Sequence, residues 1–336
     1  SASIYTRSYL TCEFAIEAIK HPVPFNPVNL GDSVNTADDE YWPSITVDGS
    51  MLLFTKQLRT KGRTNIYNQE DFYISLLKGD RWGKSFNAGA PLNTPQNEGA
   101  QSVTSDGSGI YYTACDRPGG LGRCDIYFSS FDGKRWSQGI NLGSPVNSAS
   151  WEAQPSVSAN GRMLFFSSNR PGGEGGMDIW FTVMDDAGKW STPKNAGKNI
   201  NTRGDEMSPF IHFDGITLYF SSSGHTGMGG FDIFFSRMRD DTTWVEPVNL
   251  GYPVNTYNDE LGLIIDATGS KAYFSSVRDE KWGKDIFSFE LYPDARPSPV
   301  SYFRGSVLDK ETGAPVQIVF RGVQRDVRES QADAPE

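Results

Sequence analysis

EAQPSVSANG, residues 152–161, is one copy of a segment that recurs five times in this chain of 336 residues. Every copy begins with a glutamate and has a glycine nine positions later, and successive glutamates are 58, 54, 54 and 54 residues apart. The five pairs are Glu40/Gly49, Glu98/Gly107, Glu152/Gly161, Glu206/Gly215 and Glu260/Gly269. Self-similarity at a fixed period of this length is typical of stacked or radial repeat architectures.

Each repeat also contains short apolar runs that are separated by turn signals. Pairs such as Asp48-Gly49 lie between two runs, where glycine supplies the positive φ that tight hairpin turns require. The last run of every copy opens with an aspartate, and these residues are Asp71, Asp125, Asp178, Asp232 and Asp285. About four strands in ~54 residues make one propeller blade. The sequence therefore predicts an all-β fold, a five-bladed β-propeller.

The ends of the repeats indicate how the ring closes. Copies one to four finish with an Asn-x-Gly tail, such as Asn87-Ala88-Gly89, but the fifth copy has no tail after Phe289. The missing tail stands before the first glutamate, as Asn29-Leu30-Gly31 followed by Val34-Asn35. An N-terminal segment that completes the last blade would remove the exposed edges of an open array. We therefore expect a ring closed by exchange.

The flanks of the repeat differ from it in kind. Residues 5–20 have the pattern of an amphipathic helix, on which we expect Cys12 to be a buried thiol. Residues 294–300 have a linker composition. Residues 303–319 have the pattern of two strands.

Charge and cysteine content limit the possible partners. The formal net charge is −10 and the pI is about 4.9, so a nucleic-acid partner has little support. No apolar run is long enough for a transmembrane segment. Cys115 and Cys124 flank a hairpin loop, where antiparallel neighbours come within disulfide reach. A disulfide there would favour an oxidising compartment.

The repeated acidic residues have two interpretations. Five glutamates near a channel mouth could bind a cation through their oxygens. Alternatively, each glutamate accepts backbone N–H bonds that fix the blade geometry, and each aspartate caps a turn. Equal recurrence in all five copies favours the structural interpretation, because catalysis normally breaks symmetry. We therefore predict no metal and no cofactor.

No catalytic constellation stands out in the sequence. The histidines His21, His212 and His225 are scattered, which supports neither a zinc triad nor a Ser-His-Asp set. Residues 132–136, DGKRW, resemble the Asp-box of sialidases, but the spacing of their aspartate and glycine differs. The sequence thus predicts that the chain is not an enzyme.

Recognition is expected where the copies differ, because loops on a rigid scaffold carry binding residues. The loop between the second and third strands varies most, and Arg, His, Met and Trp are suitable interface anchors. The candidate partner-binding residues are Arg117, Arg170, His225, Met228, Arg278, Trp282 and Lys284. The alternative is that these loops only turn the chain in water.

Several segments carry a resemblance to a known family. Residues 39–44 (DEYWPS), 168–173 (SNRPGG) and 176–180 (GMDIW) resemble the WD-like propeller repeat of the TolB-related class. Residues 12–19 resemble a tetratricopeptide helix, and residues 303–316 resemble the opening of a carboxypeptidase-regulatory-like domain. The second resemblance implies the start of a C-terminal β-sandwich. In this order the segments are similar to the PorE-like OmpA-family lipoproteins of the Bacteroidota type IX secretion system.

This resemblance implies a domain organisation. Residues 1–24 would end a tetratricopeptide-like region, residues 25–293 would form the propeller, and residues 294–336 would hold a linker and a partial regulatory-like segment. Peptidoglycan binding would belong to a C-terminal OmpA-like domain that this sequence lacks.

The resemblance also implies a function. We expect a non-catalytic protein–protein interaction scaffold, part of a lipid-anchored protein in the periplasm at the outer membrane. Its partners would be outer-membrane or periplasmic secretion components, which it would help to tether to the cell wall. The alternatives are a glycan-binding or glycan-cleaving propeller, and a partner-binding module outside secretion.

Overall fold

A computed structural model describes residues 2–61, 66–240, 243–277, 283–302 and Thr312. Residues 1–301 form one compact unit, and the remainder forms a second unit, of which only Tyr302 and Thr312 are described. The two strands and the β-sandwich expected after residue 302 therefore lie outside the described residues. The chain begins with helix α1 (Ala2–Lys20), and no helix in the described ranges is long and apolar enough to cross a membrane.

Within the described ranges, twenty-two strands form five antiparallel sheets, one for each repeat. Strand β1 (Val28–Asn29) comes first in the chain. Blade 1 follows with β2 (Asp39–Ile45), β3 (Met51–Lys61), β4 (Ile66–Lys78), β5 (Arg81–Trp82) and β6 (Phe86–Asn87). Blade 2 contains β7 (Glu98–Val103), β8 (Gly109–Cys115), β9 (Cys124–Ser130) and β10 (Ile140–Asn141).

The remaining blades repeat this order. Blade 3 contains β11 (Glu152–Val157), β12 (Met163–Ser168), β13 (Asp178–Val183) and β14 (Lys194–Asn195). Blade 4 contains β15 (Glu206–Ile211), β16 (Thr217–Ser222), β17 (Asp232–Asp240), β18 (Thr243–Trp244) and β19 (Val248–Asn249). Blade 5 contains β20 (Ile264–Ile265), β21 (Lys271–Ser276) and β22 (Asp285–Glu290), before a 3-10 turn at Pro293–Ala295.

Strand β1 completes blade 5 and closes the ring. It pairs antiparallel with β22, with Val28 opposite Ser288 and Asn29 opposite Phe287. The Asn35 amide adds two bonds to the backbone of Ile286, to its oxygen at 2.9 Å and from its N–H at 2.8 Å. The same two bonds join Asn147 to Ile126 in blade 2, both at 2.9 Å. The predicted five-bladed ring, closed by an N-terminal segment, is confirmed.

Aromatic side chains fill the space between the sheets. The aromatic residue five positions after each repeated glycine is at most 8% exposed in every blade, and these residues are Phe54, Tyr112, Phe166, Phe220 and Phe274. Burial of one such side chain stabilises the fold by about 1.5–3 kcal/mol. The cores join neighbouring blades, since residues of both blade 1 and blade 2 form a single cluster. The ring is therefore a rigid frame for its loops.

The expected burial of Cys12 is wrong. Cys12 is exposed on α1, and Ile16 and Ile19 of the same helix are 56% and 54% exposed. The physical reason is that this apolar stripe of α1 is left uncovered over these positions. An amphipathic pattern identifies the helix but does not show what packs against it.

Candidate functional site

The first strand of each blade lines the central channel and carries a distortion there. The residue two positions after each repeated glutamate has a left-handed backbone, with φ of 51° at Trp42, 48° at Ala100, 56° at Gln154, 55° at Ser208 and 74° at Gly262. In blades 1 to 4 the strand register shifts at this point. Such bulges re-aim side chains and are frequent beside functional sites.

The channel itself is narrow. Its cavity has a volume of about 40 Å³, room for only a few water molecules. The ring of Trp42 packs directly on the backbone of Gly262, since a Cβ at that glycine would lie 2.7 Å from the ring. This contact narrows the channel. The hydroxyl of Ser44 accepts the N–H of Val103 of the next blade at 2.9 Å, so this polar channel residue also joins blades. The channel therefore does not accommodate a sugar ring in this structure.

The repeated glutamates bond to their own loops and not to the channel. Each carboxylate accepts the backbone N–H of the residue four positions before it, at 2.7–3.2 Å, and the acceptors and donors are Glu40/Thr36, Glu98/Thr94, Glu152/Ser148, Glu206/Thr202 and Glu260/Thr256. Four of the five are fully buried, and Glu260 is half-buried. Burial raises the pKa of Glu260 to about 7.

Three of the five repeated aspartates cap turns, and Asp71 lies inside β4 and not at its start. Asp125, Asp178 and Asp232 each accept a loop N–H from the residue four positions before, at 2.8, 2.6 and 2.6 Å. Asp71 and Asp285 accept side-chain N–H bonds from Asn87 and Asn29, at 2.8 and 2.7 Å. Burial raises the pKa of Asp232 to about 6. Among the described residues no group of three or more His, Cys, Asp and Glu side chains is placed to hold a metal ion.

Three of the candidate partner-binding residues belong to this framework. Arg117 pairs with Glu98, Arg170 pairs with Glu152 at 3.0 Å, and the two arginine side chains are only 15% and 10% exposed. His225 bonds through Nε2 to the oxygen of Ile200 at 2.9 Å. Each of these side chains thus folds back onto a partner within the chain, and their role in partner binding stays a prediction.

Of the other candidate residues, the structure describes Met228 and Lys284. Met228 is half-buried, and its N–H donates to Asp232. Lys284 is exposed, and its Nζ lies 5.6 Å from the centre of the Tyr41 ring. Arg278 and Trp282 lie outside the described residues. The described candidates thus come from the loops of several blades.

A groove on the loop face brings together a different set of residues. It has a volume of about 450 Å³ and spans blades 2 to 4. Its lining residues are Arg123, Ala149, Ser150, Trp151, Asn169, Met177 and Met207. None of these residues is among the predicted partner-binding residues. Only Arg123 and Met177 lie in the loops between second and third strands, from which those predictions came.

Trp151 breaks the symmetry of the framework. The residue before the repeated glutamate is Asp39, Asn97, Asp205 or Asp259 in the other blades. Each of these side chains accepts the backbone N–H of the residue just before the repeated aspartate of the preceding blade, at 2.8–3.2 Å. An indole offers only a donor and cannot replace that cap. Alignment of the five copies at the residue before the repeated glutamate is therefore the sequence signal that could have identified Trp151.

The chemistry of the groove combines an aromatic face with donors. The backbone N–H of Trp151 donates to Oδ1 of Asn169 at 3.0 Å, and the Nδ2 group of that amide remains a donor. The Arg123 side chain is 81% exposed, and its Nε lies 3.8 Å from Asp116. Large amphipathic rings with a few placed polar groups are typical of small-molecule sites.

A disulfide joins Cys115 and Cys124 next to this groove. It closes the hairpin that carries Arg123, in which the N–H of Asp116 donates to the oxygen of Arg123 at 2.7 Å. The backbone of Cys124 also forms a parallel bridge with that of Trp151. The hairpin that forms the Arg123 side of the groove is therefore closed by a covalent bond.

Comparisons with solved structures identify the same fold in several proteins. RS223-β-xylosidase is similar with a TM-score of 0.53 and 14% identity, over 82% of this chain and 98% of that one. The endo-arabinase of Bacteroides thetaiotaomicron is similar with a TM-score of 0.50 and 15% identity, over 80% and 99%. TolB of Acinetobacter baumannii is also a neighbour, with a TM-score of 0.47 and 13% identity, over 77% of this chain and 56% of the TolB chain.

At these identities the comparisons show the propeller fold and no more. No protein-family model matches the sequence, and no curated protein matches it.

The prediction that the chain is not an enzyme is overturned by these comparisons. Most of the solved neighbours are enzymes, among them a β-xylosidase, an endo-arabinase and an N-acetylgalactosamine deacetylase. The prediction relied on the likeness of the five repeats, but regular blades are compatible with catalysis when one blade or loop departs from the pattern. The absence of a motif in the sequence therefore gave no ground for excluding catalysis.

Proposed function

We propose that the chain is a carbohydrate-recognising propeller that binds a glycan in the groove around Trp151. The single observation that carries this proposal is the exchange of a capping carboxylate or amide for an indole at one of five equivalent positions. The exchange removes the side-chain acceptor that caps an N–H group at the other joints, and here the backbones of Cys124 and Trp151 form a parallel bridge. In return it places a large aromatic face at the wall of a groove of about 450 Å³.

The other groove residues suit a sugar. A sugar ring has an apolar face that packs against an indole and hydroxyls that need hydrogen-bonding partners. The amide of Asn169 and the guanidinium of Arg123 supply donors, and Ser150 supplies a hydroxyl. The thioethers of Met177 and Met207 adapt to irregular apolar surfaces.

The neighbours support a carbohydrate ligand to the extent that the fold is shared. The β-xylosidase and the endo-arabinase have names that refer to sugar substrates, and both cover more than nine-tenths of their own length in the comparison. Hydrolysis of a glycosidic bond usually takes two carboxyl groups about 5–9.5 Å apart. None of the described residues that line the groove is an aspartate or a glutamate. The lining thus supports binding, and cleavage needs its own test.

A glycan array tests the proposal, with the wild-type chain and Trp151→Ala probed in parallel. We expect reproducible binding of one glycan class by the wild type and its loss in the variant. Incubation of each hit with the wild type, followed by product chromatography, would show whether the chain also cleaves it. An array without any hit for correctly folded protein would contradict the proposal.

We propose as a second candidate that the propeller is an interaction scaffold of a periplasmic, outer-membrane-associated lipoprotein in a type IX secretion system. The observation that favours it is the disulfide of Cys115 and Cys124, since disulfides persist in oxidising compartments such as the periplasm. The resemblance of the flanking segments supports the same placement. Cross-linking in cells with residue-level mapping would recover secretion components, and their repeated absence would contradict this candidate.

A further inference from the structure

We infer that the Cys115–Cys124 disulfide replaces the missing cap at Trp151 and positions the wall of the groove, so that ligand binding depends on it. The dependence of ligand binding rests on the proposed function, whereas the replacement of the cap is a property of the frame alone. The two parts can therefore fail separately.

The joint between blades 3 and 4 has the cap. There Asp205 lies before the repeated glutamate, and its Oδ1 accepts the N–H of Met177 at 2.8 Å. This bond fixes the start of the third strand of blade 3 against blade 4. Hydrogen bonds to a charged acceptor are among the stronger ones in proteins.

The equivalent joint between blades 2 and 3 has different residues at the same positions. Ala114 pairs with Asp125 just as Ser168 pairs with Asp178, so Cys115 occupies the position of Asn169. Cys124, like Met177, immediately precedes the strand-opening aspartate. Trp151 stands where Asp205 stands in the next joint. The joint that lacks the cap is thus the joint that carries the disulfide.

The disulfide hairpin contacts the groove directly. A Cβ at Gly122 would collide with the carbonyl oxygen of Ser150, so the hairpin backbone packs on the segment that leads into Trp151. Arg123 belongs to the hairpin and lines the groove. An opened hairpin would therefore move one wall of the groove relative to the Trp151 ring.

The disulfide can also be opened chemically. Cys115 is partly exposed, whereas Cys124 is buried, so an attacking thiolate would reach the Cys115 sulfur. A dithiol reductant gives two electrons and two protons, forms the thiols of Cys115 and Cys124, and leaves as a disulfide. Reduction would weaken binding without any change in the composition of the groove.

A stability cycle tests the replacement of the cap, and all its variants carry Cys12→Ser so that no other thiol reacts. The first variant, Cys115→Asn with Cys124→Met, removes the disulfide. The second adds Trp151→Asp and so reproduces the residues of the next joint. We expect the second variant to melt at least about 2 °C above the first. Equal or lower melting of the second variant would overturn the replacement.

The matched control is Trp151→Asp alone, with the disulfide intact. Its melting temperature should change less than the difference between the first and second variants, because the disulfide already fixes the start of β9. An equal gain with and without the disulfide would also overturn the inference, since the two devices would then act independently.

Binding of the best glycan from the array tests the positioning role. We expect the first variant, which keeps Trp151, to bind at least about tenfold more weakly than the Cys12→Ser parent, because the groove wall is no longer pre-organised. The parent should lose affinity similarly on reduction with dithiothreitol. Unchanged affinity in both cases would overturn the positioning role. If the parent binds no glycan, the proposed function fails, and the stability cycle still decides the replacement of the cap.

Discussion

The backbone of Cys124 in blade 2 forms a parallel bridge with that of Trp151, the residue that precedes the glutamate of blade 3. At three other described joints the two equivalent positions are joined by a carboxylate that caps an N–H group. The joint between blades 2 and 3 therefore differs from these joints, because Trp151 stands in place of the capping carboxylate. It also lies at the groove, which links the departure to recognition.

Ring closure by β1 makes a first prediction. Asn35→Ala removes two buried bonds to Ile286 and leaves the backbone N–H of that residue unsatisfied, whereas its oxygen keeps the bond from the N–H of Leu30 at 3.1 Å. We expect the free energy of unfolding to fall by about 2–3 kcal/mol. Urea denaturation measures it, with Asn147→Ala as the matched variant within blade 2. A much smaller loss for Asn35→Ala than for Asn147→Ala would show that the seam in blade 5 does not hold the ring.

The burial of Arg170 makes a second prediction. Arg170→Ala leaves the buried carboxylate of Glu152 without its cation, which should cost about 3 kcal/mol. Arg123→Ala, at an exposed side chain, should change the free energy of unfolding by less than about 0.5 kcal/mol. Thermal and urea unfolding of the two variants compare these losses. Similar losses at both positions would contradict the assignment of Arg170 to the frame.

The raised pKa of Glu260 makes a third prediction. Its pKa is about 7 in the folded chain and near 4.5 when the chain is unfolded, so between these values the folded state holds the proton more tightly. The stabilisation is complete below about pH 4.5 and is lost as the pH rises through about 7. The free energy of unfolding should therefore fall with rising pH across this window.

Glu260→Gln tests the origin of this pH dependence. The variant cannot ionise at this position, so its stability should decline less between pH 5 and pH 8 than that of the wild type. The melting temperature at each pH measures the difference. A parallel decline in both proteins would assign the effect to other groups, such as Asp232, whose pKa burial also raises.

The sequence was sufficient for the fold because the repeat is visible in every copy. The displaced tail at Asn29 and Asn35 even indicated the strand that closes the ring, since those two asparagines make the same bonds as their counterparts. The loop cations were harder to place. A sequence shows that Arg117 and Arg170 lie in variable loops, but not that their side chains return to buried glutamates.

The groove was missed for a related reason. Its residues come from three blades and become neighbours only when the ring closes. Trp151 was nevertheless visible in the alignment of the five copies, as the one residue before a repeated glutamate that is not Asp or Asn. A search for single departures from the repeat, column by column, would have found it.

The most direct test of the central claim is a calorimetric titration of a glycan identified on the array into three proteins. These are the wild type, Trp151→Ala and Tyr257→Ala, the last being an aromatic residue that is 82% exposed and does not line the groove. We predict that Trp151→Ala lowers the affinity at least about tenfold, or by about 1.4 kcal/mol, whereas Tyr257→Ala leaves it unchanged. Equal affinity of the wild type and Trp151→Ala would contradict a glycan site in the groove.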